Sequence, residues 1–293
     1  MGTAAPGTLF CFGLGYTAGF LASALAADGW RVRGTCQTSD ACERLAAAGI
    51  EAHRFDRTHP LENAAALLGD TTHVLSSVPP DEIGDPVLDM HGRDLTALSH
   101  AQWLGYLSTT GVYGNRDGGW VDESSALAPT GERGRRRVAA ERRWLDLHRR
   151  YGLPVHLFRL AGIYGPGRSA LDSVRAGRAQ RIDKPGKMFS RINVEDIVQA
   201  LRASMARPDP GAAYNLCDDD PAPPRAVIEF ACELLGVSPP PLVTLETADL
   251  SEVALSFYAD NKRVANRRMK DALGVRLHYP SYKDGLRALL RES

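Results

Sequence analysis

Three short stretches carry residue types and spacings that could do chemistry. In "GLGYTAGFLA", Gly13, Gly15 and Ala18 fit G-x-G-x-x-A where a strand would run into a helix. The first glycine permits a tight turn, the second lets the backbone approach a pyrophosphate, and the small third residue lets helix and strand pack closely. A helix N-terminus there offers free N–H groups and partial positive charge to phosphates, with Tyr16 and Thr17 beside them. Glycines that serve only a tight turn would give the same spacing, so the surrounding elements decide. "LSTTGVYG", Leu107 to Gly114, sets Thr109 and Tyr113 near a strand end, a hydroxyl and a phenol suited to a substrate oxygen. "ERGRRRVAAE", Glu132 to Glu141, has arginine at four of the five positions from 133 to 137. It reads as a nucleic-acid patch, a solvated helix face or an altered active-site helix.

Short apolar runs alternate with helical patterns through the first 165 or so residues and supply the elements that would hold these groups. "TLFCFG" reads as a buried strand and Thr17 to Ala27 as a helix with Ala18, Leu21, Ala22 and Leu25 on one face. "WRVRGT", "EAHRFD", "THVLSSV", "WLGYLST" and "PVHLFRLAGI" read as further strands, with Cys42 to Ala48 a helix between the first two of these. Strands alternating with helices imply right-handed crossovers, so the expected fold is α/β, a doubly wound parallel sheet of Rossmann type with a smaller C-terminal lobe. The nucleotide-binding domain is expected over 1–166 with 191–217 returning to it, and a substrate-binding lobe over 167–190 and 218–293. The cleft between them would take the substrate.

Strand before and helix after the G-x-G-x-x-A stretch favour a dinucleotide, NAD or NADP. Past the second strand the chain reads "GTCQTSD", with Thr35 and Gln37 among neutral residues where NAD sites place an acid. Nothing there repels a 2′-phosphate, and no arginine grips one, since Arg33 lies inside the strand and Arg44 well into the next helix; the balance leans slightly to NADP. Asp56 closes the third strand, where its carboxylate would meet the adenine amino group or simply hold a turn. Ser77 and Leu160, on the fourth and sixth strands, complete the expected cofactor contacts.

Several of these motifs, in order, resemble the extended short-chain dehydrogenases/reductases, the NAD-dependent epimerase/dehydratase group. They are "LSTTGVYG", "WVDESSALAPT" with Glu123 and Pro129, "FRLAGIYGPGRS", "SRINVEDIVQAL" and "YNLCDDDP". The resemblance spans nearly the whole chain. It implies a Ser or Thr three residues before the valine of V-Y-G, which is Thr109, and a Tyr-x-x-x-Lys on the following helix. Setting the family's later glutamate on Glu141 puts Arg133 at the tyrosine position and Arg137 at the lysine position. "HVLSSVPP", "NKRVANRRMKDALG" and "YPSYKDGLRAL" are similar to atypical, YeeZ-like members that lack Y-x-x-x-K.

An arginine needs about 7 kcal/mol to give up its proton at pH 7, so Arg133 is not a general acid or base. Arg137 keeps the electrostatic part of a lysine's role, a contact to the cofactor ribose. Tyr113 is the nearest phenol and the first choice as replacement proton donor, against a packing role; Tyr164 ranks below it. The segment Arg168 to Arg191 carries Arg168, Arg175, Arg178, Arg181, Lys184, Lys187 and Arg191, which would bind a substrate phosphate or carboxylate if they face the cleft and be ordinary surface if not.

Lysine plus arginine and aspartate plus glutamate both total 35, so no global field draws the chain to nucleic acid or an anionic membrane. Glu132, Glu141 and Asp146 interrupt the arginine run, which argues against nucleic acid. Five cysteines without a C-x-x-C pair suggest reduced thiols and no zinc site, and the eight histidines show no metal spacing. With no signal segment or membrane-length apolar run, a cytoplasmic protein with a small-molecule substrate is expected, and a homodimer is the assembly carried forward. The leading function is an NAD(P)-dependent oxidoreductase or epimerase acting on a small polar, sugar-like or anionic substrate. The rival is a catalytically weak NAD(P)-binding sensor or regulatory module.

Overall fold

The first strand, β1 (Thr8–Phe12), is buried along its length after Thr8, the pattern of a strand covered on both faces. It lies between β2 (Arg31–Cys36) and β4 (His73–Ser76), and β3 (Glu51–Arg54) and β5 (Trp103–Thr109) extend the sheet on either side, with every pair from β3 to β5 parallel. The structure, a computed structural model, describes residues 6–292. Further along come β6 (Trp120–Val121), β7 (Val155–Leu160), β8 (Gly162–Tyr164), β9 (Arg181–Asp183), β10 (Arg191–Asn193), β11 (Ala213–Leu216), β12 (Leu242–Thr244) and β13 (Arg263–Val264). The main sheet has seven strands in the order β11-β7-β5-β4-β1-β2-β3. That is the doubly wound Rossmann-type arrangement, in which the order reverses at β1.

The crossover helices are α1 (Tyr16–Ala27), α2 (Ser39–Ala47), α3 (Ala64–Leu68), α4 (Pro86–Thr96) and α5 (Glu132–Tyr151). After these come α6 (Ala170–Arg175), α7 (Val194–Ala206), α8 (Pro224–Leu235), α9 (Glu252–Ala259), α10 (Arg267–Leu273) and α11 (Tyr282–Glu292). The sixth strand read as Pro154 to Ile163 is two strands. The backbone turns at Ala161, whose N–H donates to Leu216 O, and Gly162 N–H then donates to Ser190 O so that β8 pairs with β10. α4 begins where the Asp85 side chain accepts from Val87 and Leu88 N–H and Pro86 fills a position that has no N–H to lose.

The chain forms two compact units: Met1–Thr109 with Arg135–Arg159 and Val198–Tyr214, and Thr110–Gly134 with Leu160–Ile197 and Asn215–Ser293. The first has Phe10, Phe12, Val74, Leu104, Tyr106 and Trp144 at its core. The second packs Tyr164, Leu171, Phe230, Tyr282 and Leu286 together.

The expectation of reduced thiols is corrected at one pair. Cys36 ends β2 and Cys42 lies in the first turn of α2; the turn between them brings their Cα atoms to 5.8 Å, and the two are joined as a disulfide. Cys11, Cys217 and Cys232 are free and buried. Among the described residues no helix is long and apolar enough to cross a membrane.

Candidate functional site

The candidate phosphate loop has the tight turn and open approach that its glycines predict. Gly13 sits at φ +85°, and a Cβ there would come within 2.8 Å of Ser77 Oγ, so both conformation and space exclude a side chain. Gly15 is the N-cap of α1, exposed, and a Cβ on it would meet nothing within 4 Å. The N-terminus of α1 has no side-chain cap and no acid in its first turn, so nothing of the helix's own competes with a phosphate for those N–H groups. Ala18 is fully buried against the sheet. Tyr16 is half-buried with its ring 5.1 Å from that of Phe20, and Thr17 is buried.

Neighbouring strand ends hold this loop from two sides. Gly13 N–H donates to Thr35 Oγ1 (2.8 Å), Leu14 N–H to Thr35 O (2.7 Å), and Ser77 Oγ to Gly13 O. Thr35 and Ser77 therefore shape the loop directly, while Gln37 stands exposed just beyond β2. Arg33 is buried in β2 and ion-paired with Asp70, which leaves it no reach towards a 2′-phosphate. Asp56 accepts from Thr58 N–H (2.7 Å), Thr58 Oγ1 (2.6 Å) and His59 Nδ1 (2.9 Å), and these hydrogen bonds hold its carboxyl well below the usual range. The Asp56 carboxylate is the acceptor of its own turn. The open backbone at Gly15 and the uncapped helix end fit a dinucleotide.

A second set of groups gathers at the end of β5. Arg137 is half-buried on α5, its Nη1 donating to Leu107 O and its guanidinium 5.5 Å from the centre of the Tyr106 ring. One turn on, Glu141 is buried, accepting from Ser108 Oγ (2.5 Å) and forming a 2.8 Å ion pair with buried Arg159 of β7. Ser108 is thus committed inward, and Thr109, the next residue, ends the strand half-buried. Leu160 ends β7 and is buried.

The remaining active-site expectations fall in the second unit. Tyr113 is fully buried, and its hydroxyl donates to Asn215 Oδ1 (2.7 Å); Asn215 N–H in turn donates to Glu123 Oε1 (2.7 Å). Arg133 is exposed, with its guanidinium 5.9 Å from the centre of the Phe257 ring. A cavity of about 560 Å³ opens between α6, α8 and α11, lined by Arg168, Arg178 and Arg191 and by the rings of Tyr164, Tyr258 and Tyr282. The basic segment therefore divides. Arg181 pairs with Glu229, while Lys184 and Lys187 donate to the Tyr258 and Phe257 carbonyls at the end of α9.

Two buried ionisable groups lie near this cavity, Lys187 of the basic segment and Asp218, which sequence reasoning missed. Burial raises Asp218 to about 8 against the pull of the Arg191 cation, and its Oδ2 has no hydrogen-bond partner among the described residues. Burial lowers Lys187, 1 % exposed, to about 8. Asp218 lies in a stretch read only as a strand end and family motif, and Lys187 in a segment left open between cleft and surface, so neither burial could be read from the sequence. Among the described residues no group of three or more His, Cys, Asp or Glu could hold a metal ion.

Known proteins share the sequence pattern and the fold. The chain is 30% identical over 239 residues, 78% of its length and 84% of the relative's, to "Protein YeeZ" of Escherichia coli strain K12. A solved structure of a conserved protein of unknown function from Silicibacter pomeroyi is 51% identical, covers 98% of this chain and 99% of its own, and superposes with a TM-score of 0.90. The fold is also shared, at 17% identity and a TM-score of 0.76 over 98% of this chain and 96% of the other, with dTDP-glucose 4,6-dehydratase from Bacillus anthracis in complex with NAD. The profile of one family matches residues 13–217, from the first glycine of the phosphate loop to the end of the "YNLC" strand. With that match across most of its length, the chain belongs to the NAD dependent epimerase/dehydratase family.

Proposed function

We propose that the protein is an NAD(P)-dependent oxidoreductase or epimerase that acts on a small polar anion with a non-standard acid/base group. The observation that carries the substrate class is the cavity lined by Arg168, Arg178 and Arg191 with three tyrosine rings. Guanidinium groups bind a phosphate or carboxylate through paired N–H donors, and flat aromatic walls suit a ring or sugar face beside it. The dehydratase of like fold was solved with NAD, which supports a nicotinamide cofactor here. The neutral run Thr35 to Ser39 tips the choice towards NADP.

When bound, the cofactor supplies hydride transfer at its nicotinamide ring. This chain's own part is to bind, orient and move a proton. Gly13, Gly15 and the first turn of α1 take the pyrophosphate, and Arg137 places a fixed positive charge at the β5 end, with Tyr16, Thr17, Gln37, Asp56 and Leu160 the proposed lesser contacts. Thr109 donates a hydrogen bond to the substrate oxygen. Tyr113 serves as proton donor only by exchanging its Asn215 hydrogen bond for one to the substrate. That engagement is also the observation that favours the second reading, a sensor that binds NAD(P) with little chemistry.

The test is titration of the full chain with NADH and NADPH by fluorescence, followed by turnover against sugar nucleotides, hydroxy acids and imines, repeated for Thr109→Val and Tyr113→Phe. Binding with turnover that falls at least tenfold in either variant is expected. Cofactor binding with no turnover of any substrate supports the sensor, and absence of both overturns the two readings together.

A further inference from the structure

Hydride transfer asks for no sulfur, yet the structure places a cystine beside the part of the fold that would take the cofactor's adenosine ribose. Cys36 is the last residue of β2, 8% exposed, and Cys42 is half-buried in the first turn of α2. Gln37 and Thr38, both exposed, lie between them. Thr35, immediately before Cys36, accepts two of the hydrogen bonds that hold the Gly13–Leu14 backbone. The crosslink therefore fixes the turn joining β2 to α2, and through Thr35 it reaches the phosphate loop. In this state the Thr38 hydroxyl accepts from Ala41 N–H as the cap of α2, so the crosslinked turn also sets where that hydroxyl stands.

We propose that Cys36 and Cys42 form a thiol–disulfide exchange site, served by a low-molecular-weight thiol such as glutathione, whose oxidation lowers the affinity for NAD(P). The proposal rests on the Gly13–Ala18 loop being the cofactor site. Cys42 is the more exposed sulfur, so the small thiolate attacks Cys42 Sγ, the Sγ–Sγ bond breaks, and Cys36 leaves as a thiolate that takes a proton from solvent. A second small thiol attacks the mixed disulfide, releasing Cys42 as a thiol and the small-molecule disulfide. The cystine gains two electrons and two protons, and two small thiols are oxidised to one disulfide. Cys11 and Cys217 play no part, since burial raises both thiols and leaves little thiolate.

The experiment equilibrates the full chain in reduced or oxidised glutathione, reads the Cys36–Cys42 state by alkylation and mass spectrometry, and titrates each form with NADH and NADPH. The reduced form is expected to bind at least about fivefold tighter, a modest coupling between two sites. Cys36→Ser/Cys42→Ser is expected to bind like the reduced form whatever the glutathione ratio; the Cys42→Ser variant, which leaves buried Cys36 in place, gives the same reading if the double variant folds poorly. Failure of the pair to oxidise, equal affinity of the two forms, tighter binding by the oxidised form, or a serine variant that still responds to glutathione each overturns the proposal. Absence of NADH and NADPH binding in both forms overturns the cofactor reading and this proposal with it, whereas binding indifferent to the pair overturns this proposal alone.

Discussion

Arg137 shows how far one side chain can be read and where reading stops. Its proposed alignment with a family lysine rests on its spacing to Glu141, whereas its clamp on Leu107 O and its place over Tyr106 depend on how α5 lies against β5. A cation held there by a strand-end carbonyl is pre-positioned, so it loses little freedom when it meets a ribose or phosphate. Arg137→Ala is expected to weaken NADPH binding about tenfold, the scale of one charge-assisted hydrogen bond, and Arg137→Lys to recover part of it. Fluorescence titration alongside a melting curve checks this; unchanged affinity would remove Arg137 from the cofactor site. The glycines were more legible, because a φ of +85° and a Cβ-excluding neighbour at Gly13 are what G-x-G spacing encodes. Asp56 was ambiguous because Asp followed two residues later by Thr makes a self-contained turn as readily as a ligand contact.

At the scale of elements, periodicity located β1, β2, β4, β5 and α1 because each buries a regular face. It ran β7 and β8 together because an apolar run does not reveal a backbone that changes partners at Ala161. It missed the cystine because two cysteines six apart meet only if a turn folds the chain back between β2 and α2. α5, whose arginines dominate its sequence, is anchored by what they conceal: Trp144 Nε1 donates to Asp85, and Glu141 joins β5 to β7 through Ser108 and Arg159. Removing one partner of a buried pair strands the other's charge, so Glu141→Ala is expected to destabilise the protein by about 3–5 kcal/mol. Glu141→Gln, which keeps an acceptor, should cost less. Urea unfolding of both variants checks the order, and equal, small losses would show that the pair is not holding α5 to the sheet.

Over the whole molecule, charge balance anticipated no long-range field, and the arginine run is threaded with ion pairs: Arg136 with Glu82, Arg143 with Asp89 and Arg149 with Asp146. What composition could not show is that two ionisable groups of the second unit are held against their ordinary protonation, so that stability depends on pH outside the usual carboxylate range. Asp218, raised to about 8, keeps its proton in the folded state while the unfolded chain has lost it, and its contribution declines as pH rises from about 4 to 8. Lys187, lowered to about 8, does the opposite. Between pH 8 and about 10.4 the unfolded chain binds a proton there that the folded chain does not, so this contribution grows with pH, at most about 1.4 kcal/mol per pH unit. Buried Cys11, Cys217 and Tyr164, all raised by burial, work against it at alkaline pH, so the effect is read as a difference between proteins. Relative to Lys187→Met, the wild type is expected to gain stability from pH 8 to pH 10 in urea unfolding. A constant difference across that range would mean that the Lys187 ammonium, held over the Phe189 ring and bonded to Phe257 O, stays charged in the folded protein.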